Sequence, residues 1–234
     1  MKTLAIIPAR GGSKRIPKKN IKDFSGKPII AYSIEAALSS KLFDEVMVST
    51  DDTAIAEIAA EFGAKVPFIR SEKQSDDFAT LMDVISEVIN TYKSQGQAFE
   101  YVCCLLPTAP FVTANKIQNA FNVLKVKNFD TVFPVLEFSY PIQRALKINQ
   151  DKVSMVDNQY ATTRSQDLEQ RYHDSGQFYW AKVDTIMHQQ TLFTDNSGAI
   201  VISELEAQDI DTETDWKLAE MKYKMMMTNE DNNL

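Results

Sequence analysis

The run Leu4-Ala5-Ile6-Ile7-Pro8-Ala9-Arg10-Gly11-Gly12-Ser13-Lys14-Arg15-Ile16-Pro17-Lys18-Lys19-Asn20 decides how the rest of the chain is read. Thr3–Pro8 is a short continuous apolar stretch, the pattern of a buried strand. It ends in a glycine pair, and a cluster of fixed positive charge follows at once. Glycine permits a tight backbone turn whose N–H groups can point at an anion. Lys14, Arg15, Lys18 and Lys19 add full charges to those dipoles, and Pro17 stiffens the middle. A small polyanion is the economical ligand, and a nucleoside triphosphate fits best. A solvated basic loop is the alternative. Its placement after the first strand of a parallel sheet weighs against that, because ligands in such sheets bind outside the carboxyl ends of strands. The loop matches neither G-x-x-x-x-G-K-[ST] nor G-x-G-x-x-G, so NAD and FAD have no support.

Beyond the loop, strands and helices alternate. Ile30, Ile34, Ala37 and Leu38 predict a helix starting near Pro28. Glu45–Thr50 reads as a second strand, and Ile55, Ile58, Ala59 and Phe62 as a helix stopped by Gly63. Val66–Ile69 reads as a third strand. Leu81, Val84, Ile85, Val88, Ile89 and Tyr92 form the clearest apolar stripe. Tyr101–Leu106 and Thr131–Leu136 are further strands around a helix at 117–125. This alternation predicts an α/β fold, a Rossmann-like three-layer α/β/α sandwich with a mostly parallel sheet. The pattern breaks near Glu137. Ala145–Ile148 and Lys152–Val156 read as a hairpin, Asp157–Ser175 is polar, and Gln177–Val183 is strand-like. Residues 138–179 are therefore expected as an arm inserted in a single domain spanning 1–234. The α/β pattern resumes at Ala199–Ile202 and closes with a helix from Thr212, whose spacing to Asp215 suits a capping box. The polar tail from Thr228 is expected to fray.

The chain has 234 residues and a net charge of −7, which argues against a general nucleic-acid binder. The first thirty residues oppose that trend, carrying Lys2, Arg10, Lys14, Arg15, Lys18, Lys19, Lys22 and Lys27 against Asp23. A basic pocket on an acidic protein reads as a focused anion site. No apolar run approaches ~18 residues, so no membrane span is expected. No signal peptide is visible, and a cytoplasmic setting is expected. Cys103 and Cys104 are adjacent, too close for an ordinary disulfide, and are read as reduced, buried thiols.

Asp209-Ile210-Asp211 is the second chemical signal. In an extended segment alternate side chains share a face, so both carboxylates point one way while Ile210 points inward. Two carboxylates plus phosphate oxygens suit Mg²⁺; a solvated acidic turn capping the last helix is the alternative. Arg70 and Ser75-Asp76-Asp77-Phe78-Ala79-Thr80 form a third group, in which an aspartate would favour the positive end of the following helix. Thr108, just past a strand end, is a ligand-contact candidate. Arg164-Ser165-Gln166-Asp167-Leu168-Glu169 and Tyr172–Trp180 suit sugar hydroxyls and a carboxylate, and equally a subunit interface. The two histidines, His173 and His188, complete no nucleophilic triad, and a substrate that brings its own hydroxyl nucleophile needs none.

Together these residues resemble the cytidylyltransferases that activate sialic acids and related 2-keto sugar acids. The resemblance rests on Ile7–Asn20, Val48-Ser49-Thr50-Asp51, Ser75-Asp76, Pro107-Thr108-Ala109-Pro110 and Asp209-Ile210-Asp211, in that order along the chain. Phe138–Leu146, Arg164–Glu169 and Tyr172–Trp180 are most similar to the branch that acts on pseudaminic acid. Leu106, Val112 and His173-Asp174-Ser175-Gly176 depart from the sialic-acid branch. The resemblance implies CTP and a nonulosonic acid as substrates, CMP-sugar and pyrophosphate as products, Mg²⁺, and a homodimer whose arm lies over the partner's site. It carries phosphate binding onto Arg10, Lys14 and Lys19, cytosine contact onto Arg70, and metal binding onto Asp209 and Asp211. Gly11, Gly12, Ser13, Asn20, Ser75 and Thr80 complete the expected nucleotide set. Gln143, Arg164 and Tyr179, with Thr108, are the expected sugar contacts, and Arg10, Lys19 and Asp211 the catalytic residues. No nucleic-acid or membrane partner is implied. Another 2-keto acid (legionaminic, sialic or 3-deoxy-octulosonic) is the nearest rival substrate. A glycosyltransferase with a D-x-D pair is a more distant reading.

Overall fold

A computed structural model describes residues 1–75 and 78–231. Its centre is a seven-stranded sheet. In chain order the strands and helices that build it are β1 (Thr3–Pro8), α1 (Ile29–Ser40), β4 (Glu45–Ser49), α2 (Thr53–Glu61), α3 (Leu81–Ser94), β5 (Tyr101–Leu105), α4 (Ala114–Val126), β6 (Thr131–Glu137), β9 (Tyr172–Asp174), β10 (Phe178–Lys182), α5 (Val183–Gln189), β11 (Ser197–Val201) and α6 (Glu213–Asp231). Two hairpins stand apart from it, β2 (Asp23–Phe24) with β3 (Lys27–Pro28), and β7 (Leu146–Asn149) with β8 (Lys152–Met155). The strand order is β11-β6-β10-β5-β1-β4, with β9 paired to the far end of β6. β1 pairs in parallel with β4 on one side and β5 on the other, so the strand order reverses beside β1. A crevice is expected at that switch point.

Strand alternation sorts the core into two layers. Ala5, Ile7, Val48 and Cys103 pack with α1, α2 and α4, whereas Leu4, Ile6, Met47 and Cys104 pack with α3 and α5. The adjacent cysteines therefore face opposite layers; both are free and buried, and burial pushes the Cys104 thiol up to about 12. The predicted helix signals act as read. Asp52 accepts the Ala54 and Ile55 N–H groups to cap α2, and Gly63 follows that helix with φ +91°. Thr212 and Asp215 form the reciprocal cap of α6. That helix runs through Thr228 to Asp231, where a frayed tail was expected; residues 232–234 lie outside the described part.

The α/β fold with a mostly parallel sheet is as expected, and β10 enters it antiparallel to both β5 and β6. Two expectations need correction. Val66–Ile69 is not a strand. Lys65 makes one isolated parallel bridge with Met47, and Pro67, with no N–H to donate, cannot continue the ladder. The segment still runs beside β4, and the Arg70 N–H reaches Thr50 O at 2.8 Å. Secondly, the excursion ends earlier than residue 179, because β9 and β10 already belong to the main sheet.

A third apolar cluster positions the chemistry. Ile16 of the basic loop (0 % exposed) and Ile210 of the acidic segment (1 %) are buried together with Phe24, Tyr32, Phe111 and Trp216. Burying an isoleucine side chain is worth roughly 1.5–3 kcal/mol. This apolar anchor draws together two charged segments nearly two hundred residues apart in sequence.

Candidate active site

The loop after β1 and the turn after β5 face each other across a cleft of about 400 Å³ at the switch point. Arg10, Ser13, Lys14, Arg15, Lys19 and Asn20 line one side, and Leu106, Pro107 and Thr108 the other. Asn20, almost fully buried, donates its side-chain N–H to Arg10 O at 2.9 Å and closes the loop on itself. Ser33 Oγ donates to Leu106 O at 2.7 Å and holds the opposite wall. The glycine pair turns tightly, as expected, with the Ser13 N–H donated to Gly11 O at 2.9 Å. Neither Gly11 nor Gly12 has positive φ. The Gly11 N–H is donated to Asp51 Oδ1 at 2.9 Å. A Cβ on Gly11 would stand 2.6 Å from Asp52 Oδ2, so the residue is small because β4's carboxyl end packs against it. A Cβ on Gly12 meets nothing within 4 Å.

A second cavity of about 230 Å³ adjoins the first through Pro8 and Arg10, which line both. Arg70, Thr80 and Gln74 are on its wall. Arg70 is 6 % exposed, its Nε donates to Ser49 Oγ at 3.0 Å, and its Nη2 donates to Ser49 O. Burial lowers its pKa, and Asp51 and Glu87 work against that shift. Thr80 caps α3 in a reciprocal box with Asp83. Ser75 Oγ donates to Ser71 O and the residue is not among the lining of this cavity. Asp76 and Asp77 lie outside the described residues.

A third cavity, about 390 Å³, is lined by Glu137, His173, Asp174, Ser175, Asp209 and Lys222 among others. Asp209-Ile210-Asp211 links it to the basic loop. The Lys19 ammonium donates to Ile210 O at 2.7 Å and stands 3.7 Å from Asp211 Oδ1. Arg15 Nη2 is 2.6 Å from the same carboxylate oxygen. Burial lowers the Lys19 pKa, and Asp211 opposes that. Burial raises the Asp209 pKa, with the Asp211 charge adding to the rise. Basic loop and aspartate pair thus meet, as their chemistry required.

Lys18 does not join them. It takes a left-handed conformation, φ 51°, at the head of a short 3-10 turn and is exposed. The expected sugar contacts are also distributed differently. Thr108 lines the basic cleft. Gln143 donates to Glu169 O at 2.7 Å and Arg164 pairs with Asp167 at 2.8 Å, both within the arm. Neither lines any of the three cavities just described. Tyr179 is 5 % exposed in β10, lines none of the three, and donates its O–H to Asp174. Sequence reasoning gave no role to Asp174, Ser49 or Asp51. Ser49 and Asp51 stood in a quoted motif at a strand end, the one signal available for them.

An open α/β sheet with a basic loop and a carboxylate pair at its switch point is the architecture of a nucleotide-using transferase. The family model for cytidylyltransferases matches residues 4–226, and the chain belongs to that family. It is 44 % identical over 226 residues to the pseudaminic acid cytidylyltransferase of Campylobacter jejuni subsp. jejuni, covering 96 % of this chain and 97 % of that protein. It is 32 % identical over 243 residues to the CMP-N,N'-diacetyllegionaminic acid synthase of Legionella pneumophila subsp. pneumophila, covering 99 % of each. The fold is similar to that of a CMP:2-keto-3-deoxy-manno-octonic acid synthetase solved with CTP (TM-score 0.70, 18 % identity, 97 % of this chain and 100 % of that one).

Proposed function

We propose that this protein transfers CMP from CTP to the anomeric hydroxyl of pseudaminic acid, releasing pyrophosphate. The observation that carries the reading is the meeting of Lys19 and Arg15, on the wall of the basic cleft, with Asp211, two residues from Asp209 on the wall of the acidic cavity. The triphosphate is assigned to the first and the sugar acid to the second, with Asp209–Asp211 where they meet. The base sits in the small cavity, where Arg70, held by Ser49, presents a fixed donor edge. The anomeric hydroxyl attacks the α-phosphorus in line, and Arg10, Lys14 and Lys19 balance charge on the departing pyrophosphate. The step needs no covalent enzyme intermediate.

Asp209 and Asp211 are assigned to Mg²⁺. The donor set fits: both offer hard oxygens, and their mutual repulsion, which helps raise the Asp209 pKa, is what a cation relieves. No group of three acidic, histidine or cysteine ligands exists among the described residues, and triphosphate oxygens would add to the two carboxylates. When bound, the ion polarises the α-phosphate. CTP is an intracellular metabolite, so the reaction belongs in the cytoplasm. No helix among the described residues is long and apolar enough to cross a membrane.

The substrate choice is favoured by the likeness to the C. jejuni enzyme, which exceeds that to the legionaminic acid enzyme. Incubation with CTP, Mg²⁺ and pseudaminic acid should yield CMP-pseudaminic acid by mass spectrometry. In competition, pseudaminic acid should outrun legionaminic, sialic and 3-deoxy-octulosonic acids. Product from one of those acids alone would reassign the substrate. No pyrophosphate from CTP with any of them would end the reading.

A homodimer completes the proposal. In the hairpin β7–β8, Leu146 pairs with Met155 and Ile148 with Val153, which puts four apolar residues on one face. Leu146, Ile148 and Val153 are exposed. A lone two-stranded hairpin with a bare apolar face needs a cover. Gln143 and Arg164 line none of the three cavities described above, and they are assigned to the partner's site beneath the arm. Light scattering should give twice the 26.5 kDa chain mass. The double change Ile148→Glu, Val153→Glu should give a folded monomer; a monomeric parent protein would contradict the assignment.

A further inference from the structure

Even apart from Asp209, assigned above to Mg²⁺, the third cavity has the wrong sign for an acid substrate's carboxylate. Glu137, Asp174 and Glu204 line it as well. Its one lysine, Lys222, gives its ammonium to Glu204 O at 3.0 Å and Ala207 O at 2.9 Å. A carboxylate there would face repulsion, whereas N–H and O–H groups would find acceptors.

Among the acceptors, Asp174 alone is held on both oxygens from below. The Gly176 N–H reaches Oδ1 at 3.0 Å, and the buried Tyr179 O–H reaches Oδ2. Desolvation first, then the bond to Asp174, pushes the Tyr179 pKa up, so it remains a donor. Each carboxylate oxygen has two lone-pair sites, so two bonds leave capacity for a ligand. Beside it Ser175, 7 % exposed, is part of the cavity wall, and its buried hydroxyl has no hydrogen-bond partner among the described residues. An unpaired buried hydroxyl is costly unless a ligand completes it.

We infer that this cavity takes the substituent-bearing end of the sugar acid, with its carboxylate turned toward the basic loop, and that Asp174 is the specificity-determining acceptor for a substituent N–H. Tyr179 is then a positioning residue, acting through Asp174. The inference rests on the proposed function and deepens it.

Calorimetry on the full-length protein separates the two. CTP is titrated first without Mg²⁺, and pseudaminic acid is then titrated into the CTP-loaded protein. Asp174→Asn keeps nearly the same volume and one acceptor oxygen, which serves either Tyr179 or the Gly176 N–H. It should weaken pseudaminic acid binding about 10- to 100-fold, while CTP binding stays within about twofold. Tyr179→Phe should weaken the same ligand by a smaller factor and leave CTP unaffected, even if Asp174→Asn proves insoluble. Wild-type affinity for pseudaminic acid in either variant overturns the role given to that residue. An equal loss of CTP affinity would put Asp174 on the nucleotide side and overturn the orientation. Failure of the unaltered protein to bind CTP would instead bring down the proposed function, and this inference with it.

Discussion

Asp211→Asn should lower kcat for CMP transfer about a thousandfold with little change in thermal stability. The side chain is nearly isosteric, so the neighbouring Ile210 stays in its apolar cluster and the segment keeps its course. What disappears is one full negative charge. Arg15 loses its partner at 2.6 Å and Lys19 its partner at 3.7 Å. Arg15 is 67 % exposed, so that pair contributes at most about 1 kcal/mol of stability. A loss of that size moves the midpoint by roughly 2–4 °C in a chain of this length. Catalysis suffers far more, because one preorganised charge at the reacting phosphorus is worth about 10²–10³ in rate and a metal ligand is lost as well. Pyrophosphate release under saturating CTP and sugar acid, with circular dichroism melting alongside, reads both quantities. Near-normal turnover in the variant would remove Asp211 from the chemistry.

Lys19→Met should cost about 100- to 1000-fold in kcat/KM, whereas Lys18→Met next to it should stay within about twofold. Methionine keeps the unbranched stem and removes only the ammonium. That ammonium ties the basic loop to Ile210 O and stands beside Asp211, so its loss takes charge from the leaving pyrophosphate and unhooks the acidic segment. Lys19→Arg should recover part of the activity, since charge returns without the same reach. Lys18 is exposed and turned out by its left-handed backbone, which makes it the matched control. Equal losses at both positions would mean that net loop charge, not the placement of Lys19, sustains activity.

The contrast between these neighbours marks how far linear reading reaches. Continuous apolar strands such as Thr3–Pro8 and the stripe of Leu81–Tyr92 are legible because burial imposes a period on the chain itself. Caps such as Thr212 with Asp215 are legible because their partners are three residues apart. Val66–Ile69 misled because it is apolar and does run beside β4, yet Pro67 denies it a ladder. Gly11 was legible as a glycine and illegible in purpose. The reason for its size is Asp52, a side chain brought in from another strand end. Tyr179 stood in a phrase that suggested sugar contact; its place between β5 and β6 buries it and passes the contact on to Asp174.

The order of residues by itself determined the alternating α/β elements, the cationic loop after the first strand, the twin aspartates before the last helix and their resemblance to a family that joins CMP to sugar acids. Only tertiary structure decided which charges meet, which way β10 runs, and that Asp209 is on the wall of an acidic cavity. The physical reason is range. Backbone periodicity and capping act over a few residues, while the contact of Lys19 with the Asp209–Asp211 strip depends on Ile16 and Ile210 sharing one apolar cluster, a partnership that no local pattern encodes.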